Sequence, residues 1–88
     1  MVTQKIRQII IKHAKKYGAK KVYLFGSSVY KKDAQDIDLG VKGIKVGKFF
    51  KFYGELLRYL PKDVDLVDFS KPTEFIKLAK KNGVKIYG

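Results

Sequence analysis

Apolar residues recur along this chain at two spacings, and the alternation between them sets out its elements. Between Thr3 and Tyr17, Ile6, Ile9, Ile10 and Tyr17 fall three or four residues apart or on that same face, as one side of an α-helix requires. Thr3 can accept the free amides of its first turn, and Gly18 suits its end. "KKVYLFG", residues 20–26, then reads as a strand ending at Gly26, and a short turn or helix from Ser27 to about Lys32 follows. In Asp36–Val41 the aspartates alternate with Ile37, Leu39 and Val41, the period of two of a half-buried strand. "IKVGKFFKFYGELLRYLP", residues 44–61, returns to helical spacing through Phe49, Phe52, Tyr53, Leu56, Leu57 and Leu60 until Pro61 stops it. "DVDLVDF" is a third strand, "KPTEFIKLAKKNG" a helix starting near Pro72 or Thr73 and ending at Gly83, and "VKIYG" a closing edge strand.

Strands and helices alternating in this way predict an α+β fold: a mixed β-sheet with helices packed mainly on one face. The other face is expected to be partly open, as a working surface. No repeat, linker or low-complexity segment interrupts the pattern, so residues 1–88 are read as a single domain.

Charge changes the picture next. Lys+Arg number 20 against 8 Asp+Glu, a formal net charge of +12, and all but two of the cations are lysines. Such a field attracts polyanions. It does not choose among nucleotides, nucleic acid and acidic proteins, because the lysines are spread along the chain without an arginine-rich tract. With no cysteine, disulfides, thiolate metal sites and a cysteine nucleophile are excluded. No apolar run reaches membrane-spanning length and no signal-peptide order opens the sequence, so a cytoplasmic protein is expected.

Against this basic background the carboxylates are the candidate chemistry. Asp36 and Asp38, at i and i+2 on a strand, share one face. In the third strand Val64 and Leu66 share one face while Asp63, Asp65 and Val67 share the other. If Val64 and Leu66 join Ile37 and Leu39 in the core, Asp65 lies beside Asp36 and Asp38 on a neighbouring strand about 4.8 Å away. Three carboxylates with no histidine or cysteine nearby suit a hard cation, Mg²⁺ or Mn²⁺, completed by water and phosphate oxygens. Gly26 and Ser27 supply a counterpart: a glycine after a strand permits close backbone approach, and the turn that follows offers amides and a hydroxyl to phosphate. Together these parts suit a Mg²⁺–nucleoside triphosphate presented for attack at its α-phosphate. Singly each has an ordinary reading, a turn for Gly-Ser and a solvated strand end for Asp-x-Asp; the combination is what carries weight. Asp63 and Asp68 are read as surface charges, His13 as a structural or exposed residue, and Gly40 as a gap on the acidic face that leaves room for a ligand.

With Gly26-Ser27, Asp36-Ile37-Asp38-Leu39 and Val64-Asp65-Leu66-Val67 in place, the chain resembles the minimal nucleotidyltransferases of the DNA polymerase beta-like superfamily over nearly its whole length. The resemblance implies Asp36, Asp38 and Asp65 as catalytic and metal-binding residues. The first two would bind two Mg²⁺ ions, and Asp65 would help bind one and deprotonate the acceptor hydroxyl. It implies Gly26 and Ser27 as contacts to the triphosphate of ATP or another NTP. In the prokaryotic branch it implies an antitoxin that adenylylates a HEPN-domain toxin partner. Two positions depart from the pattern: Val29-Tyr30-Lys31 stands where the family commonly has a small residue followed by Arg-Gly, and Gln35 where Ser or Asn often precedes the first aspartate. Lys31 or Lys32 can neutralise phosphate in place of the arginine, without its bidentate geometry.

Three functions follow as alternatives: AMP transfer from ATP to a hydroxyl of the partner, neutralisation of the partner by contact alone, and nucleic-acid binding. The last is disfavoured because carboxylates on the binding face oppose phosphate. The surplus aromatics of residues 44–60 further suggest a protein interface, with a partner or in a homodimer.

Overall fold

The computed structural model describes residues 2–31 and 34–88; Lys32, one of the two lysines weighed for the arginine's place, lies outside the described residues. Helix α1 spans Gln4–Lys16, and Thr3 caps it as expected, its hydroxyl accepting from Ile6 N at 3.2 Å. Strand β1 is Lys21–Phe25, and Gly26 opens a 3₁₀ turn, Gly26–Val29, shorter than the turn the sequence suggested. Strand β2, Asp36–Lys42, is followed by helix α2, Val46–Tyr59, strand β3, Asp63–Asp68, helix α3, Glu74–Asn82, and strand β4, Val84–Tyr87. Thr73 caps α3 by accepting from Ile76 N, and Gly83 follows its last turn.

The strands form one mixed sheet in the order β3-β2-β1-β4. β1 is antiparallel to both β2 and β4, and β2 runs parallel to β3. A parallel pair needs a crossover, and α2 supplies it. β4 closes one edge, as the sequence predicted.

Register sorts the side chains cleanly. Val22, Leu24, Ile37, Leu39, Val41, Val64 and Leu66 share one face and are buried against Ile6, Ile10 and Ala14 of α1 and Phe52 and Leu56 of α2. Each such side chain withdrawn from water contributes about 1.5–3 kcal/mol before chain entropy is subtracted. The two helices are pinned to each other by Glu55, which takes Lys16 Nζ at 2.7 Å and the Tyr17 hydroxyl at 2.6 Å on Oε1. His13 is part of the same junction and is structural. It is buried, its Nδ1 donates to the Ile9 carbonyl at 2.8 Å, and its ring stacks on Tyr59.

The opposite face is covered in one half and open in the other. Phe69 is buried on it, its ring 5.8 Å from Tyr23 and 5.3 Å from Phe25, and Phe75 of α3 meets Phe25 edge-on at 5.9 Å. This corrects the reading of Gly40 as room for a ligand. The space over Gly40 is filled by the Phe69 ring, which a Cβ at position 40 would strike. The chain turns back after β3, with Phe69 N donating to Val41 O at 2.8 Å, and that return brings the ring over the glycine. The open half carries the aspartates.

Candidate active site

The site is assembled by strand pairing. Asp38 on β2 is opposite Phe25 on β1 and opposite Asp65 on β3, and Asp36 is opposite Asp63. Asp36, Asp38 and Asp65 therefore stand on one face, as the alternation predicted. Asp65 is the direct neighbour of Asp38 rather than standing midway between Asp36 and Asp38. Asp63 brings a fourth carboxylate to the same face. It is exposed, on the face the alternation gave it, and its pairing with Asp36 follows from the parallel register.

The electrostatics follow from that crowding. Asp36 and Asp65 are exposed and Asp38 is half-buried. Burial first, then the charges of Asp65 and Asp36, raise the Asp38 carboxyl above the usual carboxylate range. Among the described residues none of these aspartates is held in an ion pair with lysine or arginine. Like charges crowded on one face fit an external cation. Oxygen donors alone suit Mg²⁺, which is commonly held by one or two carboxylates plus substrate phosphate and water. Among the described residues no three His, Cys, Asp or Glu side chains are gathered closely enough to hold an ion by themselves. Phosphate and water would have to complete any coordination.

The Gly-Ser turn faces this row. Gly26 adopts φ +68°, the left-handed conformation that side chains disfavour. A Cβ on it would stand 2.5 Å from Asp38 Oδ2, so the glycine is required twice over, for its turn and for its approach to the carboxylate. Ser27 is exposed, its hydroxyl available to a ligand, while its carbonyl accepts from Tyr30 N and Lys31 N. Ser28, which the sequence reading passed over, is buried; its Oγ donates to Phe25 O at 2.8 Å and lies 3.3 Å from Asp38 N. A third small polar residue after Gly-Ser was visible in the sequence, but its inward direction was not. Lys31 and Lys62 join Ser28 and Asp36 around a small cavity of about 70 Å³ behind the row, where Lys62 Nζ donates to Ala34 O at 2.7 Å.

A turn beside a carboxylate row, on a mixed sheet with two helices behind it, is the arrangement that the resemblance to nucleotidyltransferases implied. The sequence profile described as Polymerase beta, Nucleotidyltransferase matches residues 4–88, and the chain belongs to that family. Among solved structures, a toxin–antitoxin complex MntA–HepT matches with a TM-score of 0.74 at 24% identity, over 98% of this chain and 73% of that one. A tri-AMPylated HEPN toxin in complex with MNT antitoxin from Shewanella oneidensis matches with a TM-score of 0.74 at 26% identity, over 97% of this chain and 71% of that one. A toxin–antitoxin structure with AMP-PNP gives 0.74 at 24% identity, over 93% and 73%. No curated protein sequence matches the chain.

Proposed function

We propose that this protein is a Mg²⁺-dependent nucleotidyltransferase that moves AMP from ATP to a hydroxyl of a partner protein, and that it serves as the antitoxin of a HEPN-type toxin in the cytoplasm. The observation that supports the chemistry is the apposition of Gly26 and Asp38, a glycine turn against a carboxylate row, whose amides would bind phosphate. The likeness to an MNT antitoxin in complex with an AMPylated toxin supports the acceptor.

Asp36, Asp38 and Asp65 would hold Mg²⁺, which when bound neutralises phosphate charge and sharpens the electrophilicity of the α-phosphorus. The Gly26 turn and the Ser27 hydroxyl donate to triphosphate oxygens and fix the nucleotide in register with the row. Asp65, exposed on the edge strand β3, would take the proton of an incoming hydroxyl. The +12 charge of the chain draws the anionic nucleotide toward a face that would otherwise repel it.

The test is label transfer from α-³²P-ATP to the co-expressed partner in the presence of Mg²⁺. Asp38→Asn and Asp65→Asn should abolish labelling, and Ser27→Ala should reduce it less because backbone donors remain. A second reading rests on the resemblance, in which Tyr30 stands where the family commonly has arginine. In that reading the protein silences its partner by contact alone. Full protection of cells by Asp38→Asn, with no labelling by wild type, would establish it.

A further inference from the structure

We propose that the groove beside Gly26, walled by Tyr30 and Phe75, is a stacking subsite for the purine base of the nucleotide. The inference rests on the nucleotidyl-transfer reading and adds to it what the protein recognises beyond phosphate.

Large apolar side chains are left in water along α3 and beside the Gly26 turn. Tyr30 is 75% exposed, Phe75 57% and Leu78 60%. The three line a groove of about 210 Å³ with Phe25, Gly26 and Asn82. Gly26 belongs both to this groove and to the carboxylate site, since a Cβ on it would meet the Asp38 carboxylate. A nucleotide whose phosphates lie on the Gly26–Ser27 turn therefore has its base within reach of the groove on the β1 side, and its reacting phosphate on the β2–β3 side.

The two rings are differently anchored. Tyr30 ends the 3₁₀ turn, its amide donating to Ser27 O at 3.1 Å, so the turn that would hold phosphate also fixes the tyrosine backbone. Among the described residues its ring packs on no other ring. Phe75 presents one edge to Phe25 at 5.9 Å and leaves the rest of its surface open. Aromatic faces of this kind stack any base, and more strongly the larger ones. Asn82, with a donor and an acceptor on one amide, can pair with a base edge at the groove rim.

Calorimetric titration of the full chain with ATP, CTP and inorganic tripolyphosphate, each with Mg²⁺, tests this without reference to turnover. Wild type should bind ATP about ten-fold more tightly than tripolyphosphate, and CTP should fall between them. Tyr30→Ala should remove most of the ATP advantage and leave tripolyphosphate affinity unchanged, whereas Tyr30→Phe should retain it. Phe75→Leu, which keeps an apolar contact on Phe25, should act in the same direction as Tyr30→Ala, with melting curves confirming that each variant is folded. Equal wild-type affinity for ATP and tripolyphosphate would overturn the subsite while leaving the phosphate reading intact. So would ATP affinity within twofold of wild type in both Tyr30→Ala and Phe75→Leu. Failure of wild type to bind either compound would overturn the nucleotide reading, and the subsite with it.

Discussion

The hydroxyl of Ser28 ties the glycine turn to the aspartate strand: it donates to Phe25 O at 2.8 Å and receives the Asp38 amide at 3.3 Å. One buried oxygen thereby sets the spacing between the Gly26–Ser27 turn and the central carboxylate. Ser28→Ala should leave the Asp38 amide without that acceptor and lower stability by about 1–2 kcal/mol, the smaller part of the range because the contact is long. Label transfer should fall further than this loss implies at temperatures where the variant remains folded. Chemical denaturation alongside the transfer assay measures both. Ser27→Ala, at an exposed position, should leave stability unchanged.

Asp38 is expected to cost the metal-free protein stability. Its folded-state value lies above its unfolded one, so the charged form is disfavoured at neutral pH, and the cost is relieved as pH falls through the raised value. Asp38→Asn should therefore melt at the same temperature as wild type or higher in EDTA. The gain should be about 1 kcal/mol or less once solvent screening across a strand spacing of about 4.8 Å is allowed for. Mg²⁺–ATP should then raise the melting temperature of wild type and leave the variant almost unmoved. A variant clearly less stable in EDTA would remove Asp38 from the metal-site assignment.

Gly26→Ala combines two penalties. The left-handed backbone costs a side chain about 1–2 kcal/mol, and the new methyl would meet Asp38 Oδ2. The carboxylate can swing aside, so the protein should still fold, with a melting temperature several degrees lower. Nucleotide binding should be lost, because turn and carboxylate can no longer occupy their places together. Undiminished ATP affinity in this variant would argue that the turn does not carry the phosphates.

At the far side of the molecule, hydrogen bonds from Lys16 and Tyr17 hold the Glu55 carboxyl down from its usual 4.5 to about 2. A depressed folded-state value means that this contribution is complete above about 4.5 and lost as pH falls through about 2. Glu55→Gln should accordingly melt lower than wild type at neutral pH, and the gap should close as pH is lowered across that window. A gap that stayed constant would mean that Glu55 acts through shape rather than charge.

Much of the fold was legible in the sequence because both periodicities report burial directly. Alternation placed Ile37, Leu39, Val64 and Leu66 inward and Asp36, Asp38 and Asp65 outward, capping chemistry at Thr3 located one helix start, and Pro72 or Thr73 bracketed another. What escaped depends on contacts distant along the chain. Gly40 looked like open space because nothing local shows Phe69 folding back across the sheet. Ser28 looked like part of a turn because its partners, Phe25 O and Asp38 N, are fixed only once β1 and β2 pair. The alignment of Asp38 with Asp65, and of Asp36 with Asp63, required the parallel register.

The aromatic half of the second face also acts on its acidic half. Phe25 and Phe69 form a wall of low permittivity at the flank of Asp38, and dissolved ions, which screen charges over roughly 8–10 Å near physiological ionic strength, cannot enter it. Fields that originate at the carboxylates are consequently less damped on that side than fields from the lysines, which stand in water. Two electrostatic regimes thus share one small surface. Rising salt should strip loosely held polyanions from the lysine perimeter well before it loosens a ligand seated between the glycine turn and the aspartate row.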